Sequence, residues 1–314
     1  MRMLPARWFT AAALGLVATA AGAASLSPLV TGTAHEALFG VAADGGRAVA
    51  VGAAGAIMES ADGGKTWKPD GDVPTPLSLF GVVLAKGHAI AVGQQGTVLL
   101  QDEPGKWSKT DSGTDSRLFA VALNGNVAVS VGAFGTVIRS ADAGKTWAAI
   151  APDWTKYTAN GEQPHLYDVA LDDKGVITIA GEFGFIMRSG DAGKTWKQLH
   201  KGEASIFAMQ LRPDGVGYAV GQDGVVLRSG DHGATWNLLK SASAALLLGV
   251  YSSGKQVVVT GMHDMMVSGD DGKTWTHVDG ERVYTGWYEG VTGSGPSSAP
   301  VAVGYFGEIV QVTN

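Results

Sequence analysis

The sequence predicts an all-β fold, a seven-bladed β-propeller in which each blade holds four antiparallel strands. Three observations predict it. A unit of about 40 residues recurs seven times, each unit carries glycine-marked hairpins, and five units contain the pattern Ser-x-Asp-x-Gly-x-Thr-Trp. Repeats of this kind, each encoding several short strands, are typical of propeller blades. The 46 glycines among 314 residues also indicate many tight turns.

Each repeat begins with a predicted strand that usually opens on an apolar pair followed by a small residue. The seven openings are Leu38-Phe39-Gly40, Leu79-Phe80-Gly81, Leu118-Phe119-Ala120, Leu166-Tyr167-Asp168, Ile206-Phe207-Ala208, Leu247-Leu248-Gly249 and Tyr288-Glu289-Gly290. The blades are therefore predicted to start near residues 38, 79, 118, 166, 206, 247 and 288.

A second element, usually valine followed by glycine, predicts the second strand of each blade. After it, six repeats have another glycine in a predicted hairpin, where a positive φ angle is least costly for glycine. These glycines are Gly55, Gly96, Gly135, Gly184, Gly224 and Gly307, and Asp264 takes their place in repeat six.

The third element matches the Asp-box motif. Its Asp is expected to accept backbone N–H bonds within a turn, and its Trp to wedge between strands, so the predicted role is structural. Repeat two has a shortened version that ends at Trp107, and repeat seven ends before the motif. The motif residues are Asp62, Trp67, Asp142, Trp147, Asp191, Trp196, Asp231, Trp236, Asp270 and Trp275.

The N-terminal segment predicts how the ring closes. Repeat seven ends after its third strand, and the segment 27–32 resembles the predicted fourth strand at 197–202. The last blade is therefore expected to be completed by the N-terminal strand, which is a common way to close a propeller.

Residues 1–23 predict a secretory signal peptide. Arg2 and Arg7 precede an apolar run, and small residues around Ala23 fit a cleavage site. The apolar run is shorter than the roughly 20 residues that a membrane-spanning helix needs. Residues 24–314 are then one propeller domain, exported to the periplasm, or to the thylakoid lumen in a phototroph. The absence of cysteine excludes disulfides and a lipid anchor on cysteine.

Composition argues against several classes of partner and cofactor. The formal net charge of −6 argues against nucleic acid and anionic lipid as partners. The Gly-Lys-Thr triplets lack the preceding glycine of a phosphate-binding loop, and the stretch 262–266 holds a single His among Met residues, too few ligands for a metal. No cofactor and no metal site are predicted.

The core of the repeat, Gly-x-x-Gly-x-Ile/Val-x-x-Ser-x-Asp-x-Gly-x-Thr-Trp, is clearest in Gly132–Trp147, Gly181–Trp196 and Gly221–Trp236. With the leader, it resembles the photosystem II stability and assembly factor family, over about residues 28 to 314. The resemblance implies a seven-bladed propeller that acts without catalysis in photosynthesis, as an assembly chaperone for a newly made reaction-centre subunit.

The resemblance also implies an arginine-rich patch. The nearest counterparts are Arg139, Arg188 and Arg228, each directly before the Ser of an Asp-box motif in three successive blades. Two interpretations are open for these arginines. They could bind a partner, or they could form ion pairs with acidic residues of neighbouring blades.

The second hairpins share a face with the starts of the inner strands, and this face carries several aromatic residues. These residues could bind a partner or could simply cap the ring. The candidates are Phe134, Phe183, Tyr305 and Phe306 on hairpins, Trp154 and Tyr157 in the insertion 148–164, and Trp287 in the segment 283–288.

Charged or titratable side chains are predicted at the mouth of the channel, namely Asp168, Glu289, Arg117 and His263. Asp168 occupies a place that is otherwise Gly or Ala, and Glu289 replaces an aromatic residue. Two carboxylates are the chemistry of a glycosidase, although such carboxylates can also bond the backbone of the next blade. Arg117 and Arg282 are too few for the arginine triad of a sialidase.

The predicted function is therefore that of a non-enzymatic, exported, monomeric propeller without catalytic residues. Its partner is expected to be a protein, a membrane-complex subunit or an extracytoplasmic segment, whose assembly or stability it aids. The alternative is a carbohydrate-active hydrolase of the Asp-box propeller type.

Overall fold

The computed structural model describes residues 24–295 and 298–313, and these form seven four-stranded antiparallel sheets arranged as blades around a central channel. The inner strands of neighbouring blades contact each other around the whole circle. The predicted fold class is thereby confirmed. The predicted signal peptide, residues 1–23, lies outside the described residues.

Within each blade, the first strand lines the channel and the later strands follow outward. The first strands are Leu38–Asp44, Leu79–Ala85, Leu118–Asn124, Leu166–Leu171, Ile206–Leu211, Leu247–Ser253 and Tyr288–Thr292. The second strands are Arg47–Gly52, His88–Gly93, Val127–Gly132, Ile177–Gly181, Gly217–Gly221, Gln256–Gly261 and Val301–Gly304.

In blades 1 to 6, the outer strands are shorter in total than the inner strands. The third strands are Ile57–Ser60, Val98–Glu103, Val137–Ser140, Ile186–Ser189, Val226–Ser229, Met265–Ser268 and Ile309–Thr313. The outermost strands are Lys68–Pro69, Lys106–Thr110, Ala148–Ala149, Lys197–His200, Asn237–Leu239, Thr276–His277 and, for the last blade, Ser25–Val30.

The ring closes as the sequence predicts. The strand Ser25–Val30 pairs antiparallel with Ile309–Thr313, and Ser25 lies opposite Thr313. The hydroxyl groups of these two residues are 2.9 Å apart and hydrogen-bonded. One blade thus takes strands from both ends of the chain, and the N-terminal strand becomes its outermost strand.

The core lies between adjacent blades. Both faces of a second strand are covered by neighbouring blades, so these strands are apolar along their length, as in Val49–Val51, which is fully buried. Leu79 of blade 2 packs with this strand of blade 1 in one cluster. The ring is therefore held together mainly by apolar side chains buried at each junction.

The hydrogen bonds among the Ser, Asp and Thr of the Asp-box motif are the same in all five intact copies. In blade 3, Ser140 Oγ donates to Asp142 Oδ1 at 2.7 Å, and Asp142 accepts the N–H and the hydroxyl of Thr146 at 2.9 and 2.7 Å. These bonds from Thr146 and Ser140 lower the pKa of Asp142 to about 2. Trp147 Nε1 donates back to the Gly144 carbonyl at 2.9 Å.

In six blades, the hairpin between the second and third strands has two consecutive residues with positive φ, which defines a type I′ turn; in blade 6, His263 has positive φ and Asp264 does not. In blade 1 these are Ala54, with φ of 52°, and Gly55, with φ of 75°. The sequence analysis had assigned this conformation to the glycine alone. Gly55 has a second constraint, because a Cβ atom there would lie 2.1 Å from the Thr75 carbonyl oxygen.

Helical segments are short. Single 3-10 turns occupy Ala53–Gly55, Gln94–Gly96, Trp154–Lys156, Ala159–Gly161, Glu182–Gly184 and Gln222–Gly224, and one α-helix occupies Glu281–Thr285 among the described residues. Within the described part of the chain, none of these helices has the length and apolar character needed to cross a membrane.

Candidate functional site

The propeller has two faces that differ in which turns they carry. The face with the starts of the first strands and the hairpins between second and third strands is called the upper face. The lower face carries the first hairpins and the Asp-box turns, as shown by the 2.7 Å hydrogen bond from Gly63 N–H to the Gly46 carbonyl. The predicted aromatic candidates and the predicted arginines therefore lie at opposite faces.

An aromatic belt surrounds the upper mouth of the channel. It consists of the second residue of the first strand in blades 1 to 5. Consecutive ring centroids are 5.4, 6.0, 5.5 and 4.7 Å apart along Phe39, Phe80, Phe119, Tyr167 and Phe207. The sequence analysis used these residues only as markers of strand starts, although their recurrence in five repeats was a usable signal.

Local backbone geometry turns the belt residues toward the channel. In blade 1, Leu38 pairs with Gly52 and Gly40 pairs with Val51, so Phe39 is the extra residue of a β-bulge. The same register shift occurs at this position in the other six first strands. A bulge redirects the side chain of its extra residue, and here it presents that residue to the channel.

In blades 6 and 7, the same position holds Leu248 and Glu289, so the aromatic belt ends at blade 5. Trp287 stacks on Phe39 at 5.8 Å with an interplanar angle of 4°. The belt, Asp168 and Glu289 all line one channel cavity of about 500 Å³. The structure thus brings together two of the predicted channel-mouth residues, Asp168 and Glu289.

Asp168 joins blade 4 to blade 5. Its Oδ2 accepts the backbone N–H of Met209 at 2.6 Å, and its Oδ1 accepts the N–H of Val169 at 2.7 Å. Burial raises the pKa of Asp168 to about 7, against the opposing effect of these two hydrogen bonds. Asp168 thus bonds the backbone of the next blade, one of the two roles that the sequence left open.

Glu289 has a different environment. It is partly buried in the channel wall, and it makes no hydrogen bond or ion pair with any residue that the structure describes. Burial raises the pKa of Glu289 to about 7. Glu289 is therefore a carboxylate without a partner that faces a cavity.

A groove of about 820 Å³ crosses the upper face over blades 2 to 4 and ends at the belt. Arg117, an exposed predicted residue, lies in it with its guanidinium carbon 5.6 Å from the Phe80 ring centroid. At the outer end, Phe134 packs edge-on against His165, and His165 Nδ1 accepts the Phe134 N–H at 3.1 Å. The lining residues are Gln94, Gln95, Asp115, Ser116, Arg117, Phe119, Ala133, Phe134, His165 and Tyr167.

The predicted hairpin aromatics differ in exposure. Phe134 is 66% exposed and Phe183 is 39% exposed, so both can contact a partner. Tyr305 and Phe306 stack on each other at 3.7 Å and are partly buried.

Trp154 is a core residue, so of the two roles that the sequence left open it has the capping role and is not an exposed partner-binding residue. It is 5% exposed, packs against Phe185, and donates its indole N–H to the Gly135 carbonyl at 3.3 Å. Tyr157 is partly buried and donates its hydroxyl to the Trp196 carbonyl at 2.6 Å. The insertion therefore packs on the junction of blades 3 and 4, because Trp154 belongs to the same apolar cluster as residues of both blades.

The three predicted arginines do not form one patch with the upper-face aromatics. Arg228 forms an ion pair with Asp271 of blade 6, whose other carboxylate oxygen accepts the Tyr218 hydroxyl at 2.6 Å. Arg228 thus has the role between blades that the sequence analysis considered. Arg139 and Arg188 form no ion pair with other described residues, and both are partly buried near the lower ends of third strands.

His263 lies on an upper hairpin of blade 6 and is exposed. Its Nδ1 is 2.9 Å from the Tyr284 carbonyl, which can only accept, so Nδ1 carries the proton and donates. Tyr284 is 55% exposed and neighbouring Met262 is 40% exposed.

These features define the chain as a seven-bladed β-propeller with an aromatic-lined upper face. Among solved structures, it is similar to YCF48 bound to D1 peptide, with a TM-score of 0.73 and 18% identity over 94% of this chain and 96% of that chain. It is also similar to YCF48 from Cyanidioschyzon merolae, with a TM-score of 0.69 and 18% identity over 92% and 98% of the two chains.

A propeller enzyme is similar in fold as well. The GH74 xyloglucanase from Xanthomonas campestris has a TM-score of 0.72 and 14% identity over 91% of this chain and 53% of that chain. At these identities the likenesses show the fold alone. No family model and no curated protein sequence matches this chain.

Proposed function

We propose that this protein is a non-enzymatic propeller that binds a protein segment on its upper face and aids the assembly or stability of a membrane complex. The observation that carries the proposal is the continuous surface made by the groove over blades 2 to 4 and the aromatic belt. With the leader 1–23 removed, the protein would act in the periplasm, or in the thylakoid lumen of a phototroph.

The chemistry of this surface suits an extended peptide. Exposed aromatic rings such as Phe134 offer apolar contact at a small cost in side-chain entropy, which makes aromatic residues frequent anchors at interfaces. Between the rings, the Gln95 amide and the Arg117 guanidinium offer hydrogen bonds to backbone carbonyls or acidic side chains. A groove of about 820 Å³ accommodates several residues of such a segment.

Two further findings support the proposal. One fold neighbour is a YCF48 structure bound to a D1 peptide, so a propeller of this shape binds a protein segment. The repeat pattern also resembles that of the photosystem II assembly factor family. Both findings favour a peptide over a polysaccharide as the partner.

The experiment that tests the proposal is recovery of a partner from the organism's own cell envelope with tagged protein. The test variant replaces Phe134 and Phe183 by Asn, which tolerates their positive φ angles of 53° and 56° and so preserves the hairpins. The matched control is Leu238→Thr, because Leu238 is 70% exposed on an outermost strand. We expect wild type and control to retain a stoichiometric membrane partner and the double variant to lose it.

Equal recovery by the double variant would exclude the hairpin aromatics as the binding surface. Unfolding of each variant by heat, followed by circular dichroism, checks that the loss of a partner does not reflect loss of the fold.

A carbohydrate-active hydrolase is the second candidate. It is favoured by one observation, that Asp168 and Glu289 line the same cavity and both have a raised pKa. Against it, both Asp168 oxygens accept backbone N–H groups, which occupies the carboxylate with a structural role. Turnover of a glycoside library that Asp168→Asn abolishes would favour the hydrolase and overturn the proposed binding function.

A further inference from the structure

We propose that the aromatic belt and Glu289 form a binding site for an alkylammonium group, such as a lysine side chain of the bound protein segment. The assignment of the ammonium group to a lysine of a bound protein segment rests on the proposed function. The site itself lies at the channel mouth and does not include the hairpin aromatics.

The first reason is the unpartnered state of Glu289. A partly buried carboxylate that faces a cavity without a donor has lost part of its hydration, and a cation that binds there offsets this cost. In five of the other blades, the same bulge position holds an aromatic ring, and blade 6 holds Leu248 there. The chain therefore places a charge at the position where six repeats place an apolar side chain.

The second reason is the environment that the belt supplies. The faces of aromatic rings carry partial negative charge and attract cations within about 6 Å. Arg117 already shows this at the belt, with its guanidinium carbon 5.6 Å from the Phe80 centroid. That contact uses the Phe80 ring of blade 2, whereas Glu289 belongs to blade 7, which lies on the other side of Phe39.

The charges around the mouth favour a cation. Besides Glu289, the carboxylates of Asp168 and Glu182 belong to this region, the latter next to the Tyr167 hydroxyl at 3.4 Å. The positive or titratable groups are Arg117 and His165, both on the groove side. Arg282, the nearest cation in sequence to Glu289, is engaged by Glu308.

The shape of the site favours an ammonium on an alkyl chain. The apolar stem can lie along the belt, where Phe39 and Trp287 stack on each other, while the charged end reaches Glu289. An anion would be repelled by the carboxylates. A neutral apolar ligand would leave Glu289 without a partner.

The test uses the full propeller without its leader and the probe N-acetyl-lysine methylamide, with N-acetyl-norleucine methylamide as the uncharged match. Binding is followed at pH 8 by the indole NMR signal of Trp287. We expect saturable binding of the lysine probe, and binding of the norleucine probe weaker by about tenfold or more. Glu289→Gln is expected to weaken the lysine probe to the norleucine level.

The matched control is Glu203→Gln, which removes an exposed carboxylate from an upper-face loop outside the channel. A second variant, Phe39→Leu, keeps an apolar side chain but removes the ring face, and should weaken the lysine probe several-fold without affecting the norleucine probe. Equal binding of both probes, or unchanged binding by Glu289→Gln, would overturn the proposal.

A further arm identifies the source of the ammonium group. If n-butylammonium binds as tightly as the lysine probe, the natural ligand is a free amine. If the lysine probe binds more tightly, the natural ligand is a peptide. A negative result in this binding assay would not contradict the proposed function, because recovery of a partner from the envelope depends on Phe134 and Phe183 and does not require Glu289.

Discussion

Asp168 of blade 4 accepts the backbone N–H of Met209 in blade 5 across 2.6 Å. The same position in the other blades is Gly or Ala, and at the four glycines the next blade's backbone approaches closely. A Cβ atom at Gly81, for example, would lie 2.6 Å from the Phe119 carbonyl oxygen. Junction 4–5 therefore has a side-chain hydrogen bond at the position where the junctions with glycine have direct backbone proximity.

We predict that Asp168→Ala destabilises the protein by about 1–3 kcal/mol, because it leaves the buried N–H of Met209 without an acceptor. Asp168→Asn should cost less, since its amide oxygen can accept the same bond. Urea unfolding at pH 6 measures both variants. Equal stabilities for the Ala and Asn variants would contradict a junction role for this hydrogen bond.

Glu289 should make stability depend on pH. The pKa of Glu289 is raised to about 7 in the folded state, so the native protein binds more protons than the unfolded chain between about pH 4 and pH 7. The free energy of unfolding of the protein therefore falls as the pH rises through this window and Glu289 loses its proton.

Glu289→Gln removes this loss. Between pH 4 and pH 8, the free energy of unfolding of the variant should therefore rise relative to that of the wild type by on the order of 2 kcal/mol. Urea unfolding across that range measures the difference. Asp168 titrates in both proteins, so its effect cancels. A difference that does not change with pH would show that Glu289 is not the group responsible.

The Asp-box turns should contribute stability with the opposite pH dependence. Hydrogen bonds from Thr146 and Ser140 lower the pKa of Asp142 to about 2, so the stabilisation is complete above pH 4 and is lost as the pH falls toward 2. Thr146→Val removes one of these bonds.

The destabilisation by Thr146→Val should therefore be largest at neutral pH and shrink as the pH falls from 4 to 2, as measured by thermal unfolding. Thr110→Val is the control, because the Thr110 hydroxyl donates to the uncharged Lys145 carbonyl at 2.8 Å. Its effect should not vary over the same range. Parallel pH profiles for the two variants would rule out the carboxylate as the cause.

Two glycines with positive φ should respond differently to a methyl group. At Gly45, with φ of 61°, a Cβ atom meets no other atom within 4 Å, so Gly45→Ala should cost about 1 kcal/mol from the left-handed conformation alone. At Gly55, the Cβ atom would clash with the Thr75 carbonyl oxygen. Gly55→Ala should therefore lower the free energy of unfolding by at least about 2–3 kcal/mol, as measured by urea unfolding. If Gly45→Ala and Gly55→Ala cost the same, the backbone at Thr75 moves to accommodate the methyl group.

Substitutions of Trp154 and Phe134 should distinguish a core residue from a surface residue near the insertion. Trp154→Ala should cost about 3–5 kcal/mol, because the ring fills the junction of blades 3 and 4. Phe134→Ala should change stability by about 0.5 kcal/mol or less, since that side chain is 66% exposed. Guanidinium unfolding measures both; a small effect at Trp154 would mean that the insertion is not part of the core.

Much of the fold could be predicted because its signals are local and repeated. The apolar openings, such as Leu38-Phe39-Gly40, coincide with the starts of the first strands, and the segment at 25–30 completes the last blade. Each of these signals depends on residues that are close in sequence and recur in the same order. Seven copies make such a pattern readable where one would not be.

The candidate site was predicted only in part, because exposure depends on contacts between blades. Phe134 and Trp154 are both aromatic residues in upper-face loops, yet one is 66% and the other 5% exposed. Only packing against Phe185 distinguishes them. Likewise, Arg228 has an ion-pair partner because Asp271 of the next blade lies within reach, whereas Arg139 and Arg188 form no ion pair within the described residues.

The sequence by itself determined the number of blades, the order of their strands and the means of closure, since short-range residue patterns specify these. The tertiary structure alone decided that Phe39 faces the channel and that Asp168 and Glu289 share one cavity. The physical reason is that a β-bulge sets the direction of each belt side chain, and closure of the ring brings blades 4 and 7 to opposite sides of the same channel.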